Sequence, residues 1–337
     1  MFSIQSNLRK SPELVSPFVH IPDNLETFDF DTYMIEEYFV LKSISGFIFK
    51  KVIEDLKFQV NHEYLIKFIW IVCEKYNRNY FHNFQHAVNV LQMTYLILIK
   101  TEIYKKLKPN IVFAVLISAL SHDVDHPGNT NSYEINSMSR YARLYNDISV
   151  LENHQCSLTF ELLEESKVLE QFKDDEFKEI RKTIIQSILS TDMSKHDEVL
   201  DKFNNFNYTS QNYSIDEQIS IASVLVHFAD LSGPIKDFNI VYEWSQRISL
   251  EFYDQAIKEE IEGLPTLLFM KVRNTLCMCM NEISFIKNVS IPTWTLFVNK
   301  FSNMKYILEK INNNLMNWEK IEQQQQIYDS DINDFSY

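Results

Sequence analysis

Glycine occurs only four times in the 337 residues, at positions 46, 128, 233 and 263. A chain this poor in the residue that supplies left-handed turns has few places for tight hairpins or for a backbone cradle around phosphate. Neither G-x-G-x-x-G nor a P-loop occurs. Apolar residues instead recur at helical spacing. Between Asp29 and Asn79 they are Tyr33, Tyr38, Phe39, Ile44, Phe47, Ile48, Val52 and Leu56, then Leu65, Phe68, Ile69 and Val72, mostly three or four apart. The pattern predicts an all-α fold, and 45% hydrophobic residues with 14% aromatics supply a sizeable core for one large domain or two small ones.

The ends differ from the middle. Ser11-Pro12, Ser16-Pro17 and Ile21-Pro22 each disfavour a continuing helix, so residues 1–24 read as a flexible or wrapping leader. Residues 323–337 open on Gln323 to Gln326 and carry Asp329, Asp331 and Asp334. They read as a polar acidic tail without fixed structure, which leaves 25–322 for the domain. A net charge of −14 argues against nucleic acid or an anionic membrane as partner, since both reward clustered Lys and Arg. An anionic substrate would need local cations, and metals would serve. Cys73, Cys156, Cys277 and Cys279 include a C-x-C pair with no nearby histidine cluster, so they read as reduced thiols of a cytoplasmic protein. No run reaches the roughly 18 apolar residues of a spanning helix, and Met1 to Lys10 has no apolar signal core.

Chemistry gathers where apolar runs end. Ile111 to Leu120 leads into Ser121-His122-Asp123-Val124-Asp125-His126-Pro127-Gly128, placing an imidazole and a carboxylate beside a buried segment. Such groups need a partner, either each other across a hydrogen bond at a helix end or a divalent metal. Upstream, His82 and His86 lie four apart, on one side of a helix or with His82 just before its first turn. Ile219 to Val226 ends similarly, in His227-Phe228-Ala229-Asp230. His86, His122, Asp123 and Asp230 together make two nitrogens and two carboxylates, a set suited to zinc and other first-row divalent metals. Glu152 and His154 enter a further helix and could as well be surface residues. Thr191 and Asp192 follow Ile184, Ile185, Ile188 and Leu189, where an acid at a helix C-terminus is disfavoured by the macrodipole.

The succession His82-Asn83-x-x-His86-Ala87, His122-Asp123-x-x-His126-Pro127-Gly128-x-x-Asn131, Leu151-Glu152-Asn153-His154, Thr191-Asp192-Met193-Ser194-Lys195-His196, Ala229-Asp230-Leu231-Ser232 and Trp244-x-x-Arg247-Ile248-x-x-Glu251-Phe252 resembles the class I cyclic nucleotide phosphodiesterases over roughly residues 30 to 310. The resemblance implies a compact multi-helix catalytic domain of the HD type. It also implies hydrolysis of the 3′ bond of cAMP or cGMP to the 5′-monophosphate. His86, His122, Asp123 and Asp230 would hold the tight metal, usually zinc, with Asp123 bridging to a second, Mg2+ or Mn2+. His126, Glu152, His154, Thr191 and Asp192 would order the waters of that second ion. His82 would donate the proton to the leaving group, and Glu251 would hold its imidazole. The substrate is then a small cyclic nucleotide, and homo-oligomerisation is left open.

Some positions depart from the family pattern. In Glu282-Ile283-Ser284-Phe285-Ile286 a glutamate stands where most members carry a base-reading glutamine. Ionised, it only accepts, which favours the N1-H and N2 donors of guanine, with Phe285 and Ile248 sandwiching the base. The expectation leans to cGMP, and a protonated Glu282 would again admit adenine. Gln155 replaces a family histidine and Phe81 a common tyrosine. Two other readings stay open: a different HD-type nucleotide phosphohydrolase, and an inert cyclic nucleotide-binding scaffold.

Overall fold

Apolar side chains at helical spacing become helices here, several of them opened by a capping side chain or a proline. The computed structural model describes residues 19–210 and 212–334, and among these the α-helices run α1 Tyr38–Asp55, α2 His62–Lys75, α3 Phe84–Lys100, α4 Pro109–Ser121, α5 Asn131–Asn136, α6 Arg140–Tyr145 and α7 Val150–Ser166. They continue as α8 Asp174–Leu189, α9 His196–Asn205, α10 Ile215–Asp230, α11 Phe238–Glu262, α12 Thr275–Phe285, α13 Ile291–Lys300 and α14 Tyr306–Asp334. The described residues form no strand. None of their helices is long and apolar enough to cross a membrane.

The starts follow local chemistry. Asn61 accepts from the Glu63 and Tyr64 amides at the head of α2. Pro109 occupies the first turn of α4, where its missing N–H is no loss. Ser214 and Glu217 exchange bonds as a capping box before α10. The apolar run Ile111 to Leu120 exposes no more than 1% of any side chain, as expected of a helix that is hydrophobic all round. Helix α4 packs against α3, α8 and α10, and this bundle is the centre of the core. The cysteines are free.

Two stretches differ from the sequence expectation. The helical pattern begins at Tyr38, not Asp29. The Asp31 carboxylate takes the Tyr33 amide into a local turn and so competes with helix formation. Residues 25–35 therefore lie across the bundle as a strap, tied by its carbonyls. Gln92 donates to Leu25 and Thr27, the buried Lys236 ammonium donates to Phe28 and Phe30, and the Thr32 hydroxyl donates to the Gln85 carbonyl. The polar stretch from Gln323, expected to lack structure, continues α14 as far as Asp334. Residues 1–18 of the expected leader and 335–337 of the tail lie outside the described residues.

Candidate active site

Helix α4 ends at Ser121, so His122 stands as its C-cap with Asp123 next to it, and α10 ends on Asp230 itself. Helix α3 begins at Phe84, capped by the Asn83 side chain, which accepts from the Gln85 and His86 amides. His86 thus sits in a first turn and His82 just outside the helix. The site lies where the C-termini of α4 and α10 meet the N-terminus of α3. Two helix C-termini plus two carboxylates make that corner strongly attractive to positive charge.

Four side chains converge there. His86 Nε2 lies 3.2 Å from His122 Nε2, 3.3 Å from Asp123 Oδ2 and 3.1 Å from Asp230 Oδ1. His122 Nε2 lies 3.0 Å from Asp123 Oδ2 and 3.4 Å from Asp230 Oδ1. Separations of about 3.0–3.4 Å are those expected between donors that each stand about 2.1 Å from a common ion. His122 Nδ1 donates to the Ala119 carbonyl, which turns Nε2 towards the cluster. Burial disfavours a charged His122, yet Asp123 and Asp230 push its pKa well above the usual imidazole range, and the two carboxylates are held low in return. The donors suit a divalent cation, and His86, His122 and Asp123 form one of the groups able to hold one.

Beside this cluster is a second histidine centre. His82 Nδ1 donates to Glu251 Oε1, while Glu251 Oε2 accepts the Phe81 amide at 2.9 Å and the His82 amide at 3.1 Å. Burial opposes charge on His82, but the Glu251 carboxylate outweighs it and raises the imidazole to about 9, so it carries its proton at neutral pH. The His126 ring stacks on His82 at 4.1 Å, and burial together with the His82 charge lowers its pKa to about 4. His82, His126 and Glu251 are close enough to count as a metal-sized group. Both Glu251 oxygens are already engaged, however, and His126 Nδ1 accepts the Gly128 amide at 3.1 Å. Each member of this trio is thus already bonded to protein.

Gly128 is where a glycine is required. Its φ is +77°, and a Cβ would meet Asn79 Oδ1 at 3.3 Å and Glu251 Cγ at 3.6 Å. Asn79 in turn donates to the His82 and His126 carbonyls. We expect Gly128→Ala to destabilise the fold by about 1–2 kcal/mol, the cost of the left-handed backbone. Urea unfolding would measure this, and an unchanged midpoint would contradict it.

The remaining expected site residues are placed as follows. Glu152 faces Asn131, whose Nδ2 donates to both its oxygens, at 3.1 and 2.9 Å. Burial and the Asp192 charge raise Glu152 to about 7. Thr191 is buried and donates to the Ile188 carbonyl. Asp192, which looked misplaced at the end of α8, caps the turn that follows. It accepts the Ser194 amide at 2.9 Å and the Ser149 hydroxyl at 2.7 Å. His154 is tied to Asp125 at 2.9 Å, with its ring on Tyr141. The neighbour of Asp123 is instead Gln155, whose Nε2 donates to Asp123 Oδ1 at 3.1 Å. In the sequence it is marked by standing where the family has a histidine and by lying in the same helical turn as Glu152. Glu282 on α12 is half-buried, with Ser245 on α11 nearby; burial lifts its carboxyl to about 7. Ile248 and Phe285 follow three residues beyond Ser245 and Glu282, on the same two helices.

Comparison with known proteins gives consistent findings. Residues 81–311 match the 3′5′-cyclic nucleotide phosphodiesterase family. The 3′,5′-cyclic-nucleotide phosphodiesterase regA of Dictyostelium discoideum is 35% identical over 270 residues, 78% of this chain and 34% of that protein. The human high affinity cGMP-specific 3′,5′-cyclic phosphodiesterase 9A is 32% identical over 257 residues, 74% of this chain and 42% of its own length. The chain thus spans well under half of these two relatives. The phosphodiesterase domain of the RhoPDE fusion protein from Salpingoeca rosetta superposes with a TM-score of 0.85 at 36% identity, covering 90% of this chain and 96% of that one. Enzymes of the family are metal-dependent, as a cluster of two imidazoles and two carboxylates at three helix ends would require. This chain belongs to the 3′,5′-cyclic nucleotide phosphodiesterase family.

Proposed function

We propose that the protein hydrolyses a 3′,5′-cyclic nucleotide at its 3′ P–O bond, releasing the nucleoside 5′-monophosphate and so ending a cyclic nucleotide signal. The observation that carries this reading is the juxtaposition of His82, held by Glu251, with the four-donor cluster of His86, His122, Asp123 and Asp230. In this reading the cluster holds the tight ion, Zn2+. Glu152, Thr191, Asp192 and His126 order the waters of a second ion, Mg2+ or Mn2+, with His154 acting on that shell through Asp125. When bound, such ions neutralise the phosphoryl oxygens and lower the pKa of a water.

The chain's own residues supply the rest. An alkoxide O3′ is a poor leaving group, and His82 carries a proton at neutral pH. As a water oxygen bonds to phosphorus and the P–O3′ bond breaks, a proton passes from His82 Nε2 to O3′ while Nδ1 stays on Glu251, which steadies the ring; the proton shed by the water goes to solvent, from which His82 is recharged. The catalytic unit is residues 25–322, and its unpaired cysteines fit a reducing cytoplasm. Production of 5′-monophosphate from cAMP or cGMP, with deoxynucleoside triphosphates left intact, tests the assignment. Conversion of the triphosphates instead would move the protein to another HD-type branch, and binding of cGMP without turnover would make it a scaffold.

Glu282 decides the base in this reading. Ionised, its carboxylate accepts from guanine N1-H and N2, whereas adenine needs a donor as well. Its pKa near 7 makes the choice pH-dependent. We expect the ratio of kcat/KM for cGMP over cAMP to rise between pH 6 and pH 8 as Glu282 ionises. The ratio cancels titrations common to both substrates. Glu282→Gln should lower the ratio at pH 8 by about tenfold, the worth of one charge-assisted hydrogen bond, and flatten its pH dependence. A ratio indifferent to both changes would remove Glu282 from base recognition.

A further inference from the structure

The loop that carries His82 is held from the far side by a residue that no part of the catalytic constellation accounts for. Tyr33, in the strap, is buried, and its hydroxyl donates to the Phe81 carbonyl. The same carbonyl accepts the Asn83 amide at 2.8 Å. The peptide before His82 is therefore bonded on both faces: its carbonyl by Tyr33 and Asn83, and the flanking Phe81 and His82 amides by Glu251. Tyr33 is itself fixed. Its ring stands edge-on to Trp244 at 4.7 Å, and the Arg247 guanidinium lies over it at 4.4 Å. Its own amide bonds Asp31, which also takes the Trp244 indole N–H at 3.1 Å. Trp244 and Arg247 share α11 with Glu251. One helix thus presents the carboxylate that holds the imidazole and the two side chains that seat the tyrosine.

We propose that Tyr33 is a positioning residue for proton donation: its hydroxyl sets the peptide plane before His82, so that the imidazole meets the leaving oxygen in register. This rests on the reading of His82 as proton donor. A strap that merely stabilised the fold would need no hydroxyl aimed at this carbonyl, since Gln92, Lys236 and Thr32 already tie it down. A small rotation of the Phe81–His82 peptide swings the ring, and proton transfer falls steeply with misplacement.

The test compares wild type, Tyr33→Phe, Thr32→Val and His82→Asn on a cyclic nucleotide and on its 3′-thio analogue, whose thiolate leaves without a proton. Bound metal is measured in each protein. Tyr33→Phe keeps the ring and loses only the hydroxyl. It should lower kcat on the cyclic nucleotide about tenfold, with KM within about twofold and metal content unchanged. On the thio analogue it should match wild type. Thr32→Val removes a strap bond of the same kind away from Phe81, to the Gln85 carbonyl, and should stay within about twofold on both substrates. An unchanged kcat for Tyr33→Phe overturns the proposal, as does an equal loss on both substrates or an equal loss in Thr32→Val. Full activity in His82→Asn removes the proton-donor reading itself and the proposal with it, a failure distinguishable from that of Tyr33 alone.

Discussion

Replacing His82 by Asn will lower kcat roughly 10²–10⁴-fold, the usual contribution of a positioned general acid, while bound metal stays at the wild-type level. The two effects separate because His82 bonds Glu251 and stacks on His126, and meets the cluster of His86, His122, Asp123 and Asp230 only through an edge-on contact with the His86 ring at 5.6 Å. Asn is close to His in shape and can still direct its amide at Glu251, so the loop should keep its course. It cannot carry a proton to O3′. Steady-state kinetics on cGMP and cAMP beside elemental analysis of the purified variant would decide. Turnover like that of wild type would assign the proton to another group, and loss of metal would place His82 among the ligands.

The second large effect is expected of Asp123→Asn. Asp123 Oδ2 approaches both His86 and His122, and Oδ1 accepts from Gln155. The substitution keeps the shape and lets the new carbonyl take the Gln155 bond, but it removes a negative charge from the middle of the cluster. The tight ion should be lost or greatly weakened, and kcat/KM should fall by at least about 10³-fold, because several kcal/mol of charge stabilisation go with it. Treatment of wild type with a chelator should produce the same loss, reversed by added zinc with magnesium. In the variant, those metals at wild-type concentrations should restore little. Helical circular dichroism should survive, since Asp123 lies after α4 and its backbone keeps its place. A fully active, metal-free Asp123→Asn would overturn the metal reading.

The two substitutions also differ in how readable their sites were. His122, Asp123 and Asp230 stand out along the chain because each closes an apolar run that can only be a buried helix, and an ionisable group there needs a partner. His86 stands out through its spacing from His82. The helices themselves were legible for the same reason: apolar residues every three or four positions make one continuous stripe, and that stripe must be covered. For Asp192 the sequence shows an acid after α8; that the next turn begins there and uses it as a cap is visible only in the structure.

What the linear chain determined by itself is therefore the all-α class, the buried runs that become α4 and α10, and the residue types able to hold a cation. Local periodicity and the desolvation of charge act within a few residues of each other. Only the tertiary structure decided which groups meet: Gln155 on Asp123, Asp125 on His154, and Tyr33 on the carbonyl before His82. These are single bonds between neutral or common residues far apart in sequence, and nothing in their spacing marks one of them above its neighbours. Their partners are selected by how helices cross and where a strap is pulled across them, which depends on the packing of the whole bundle.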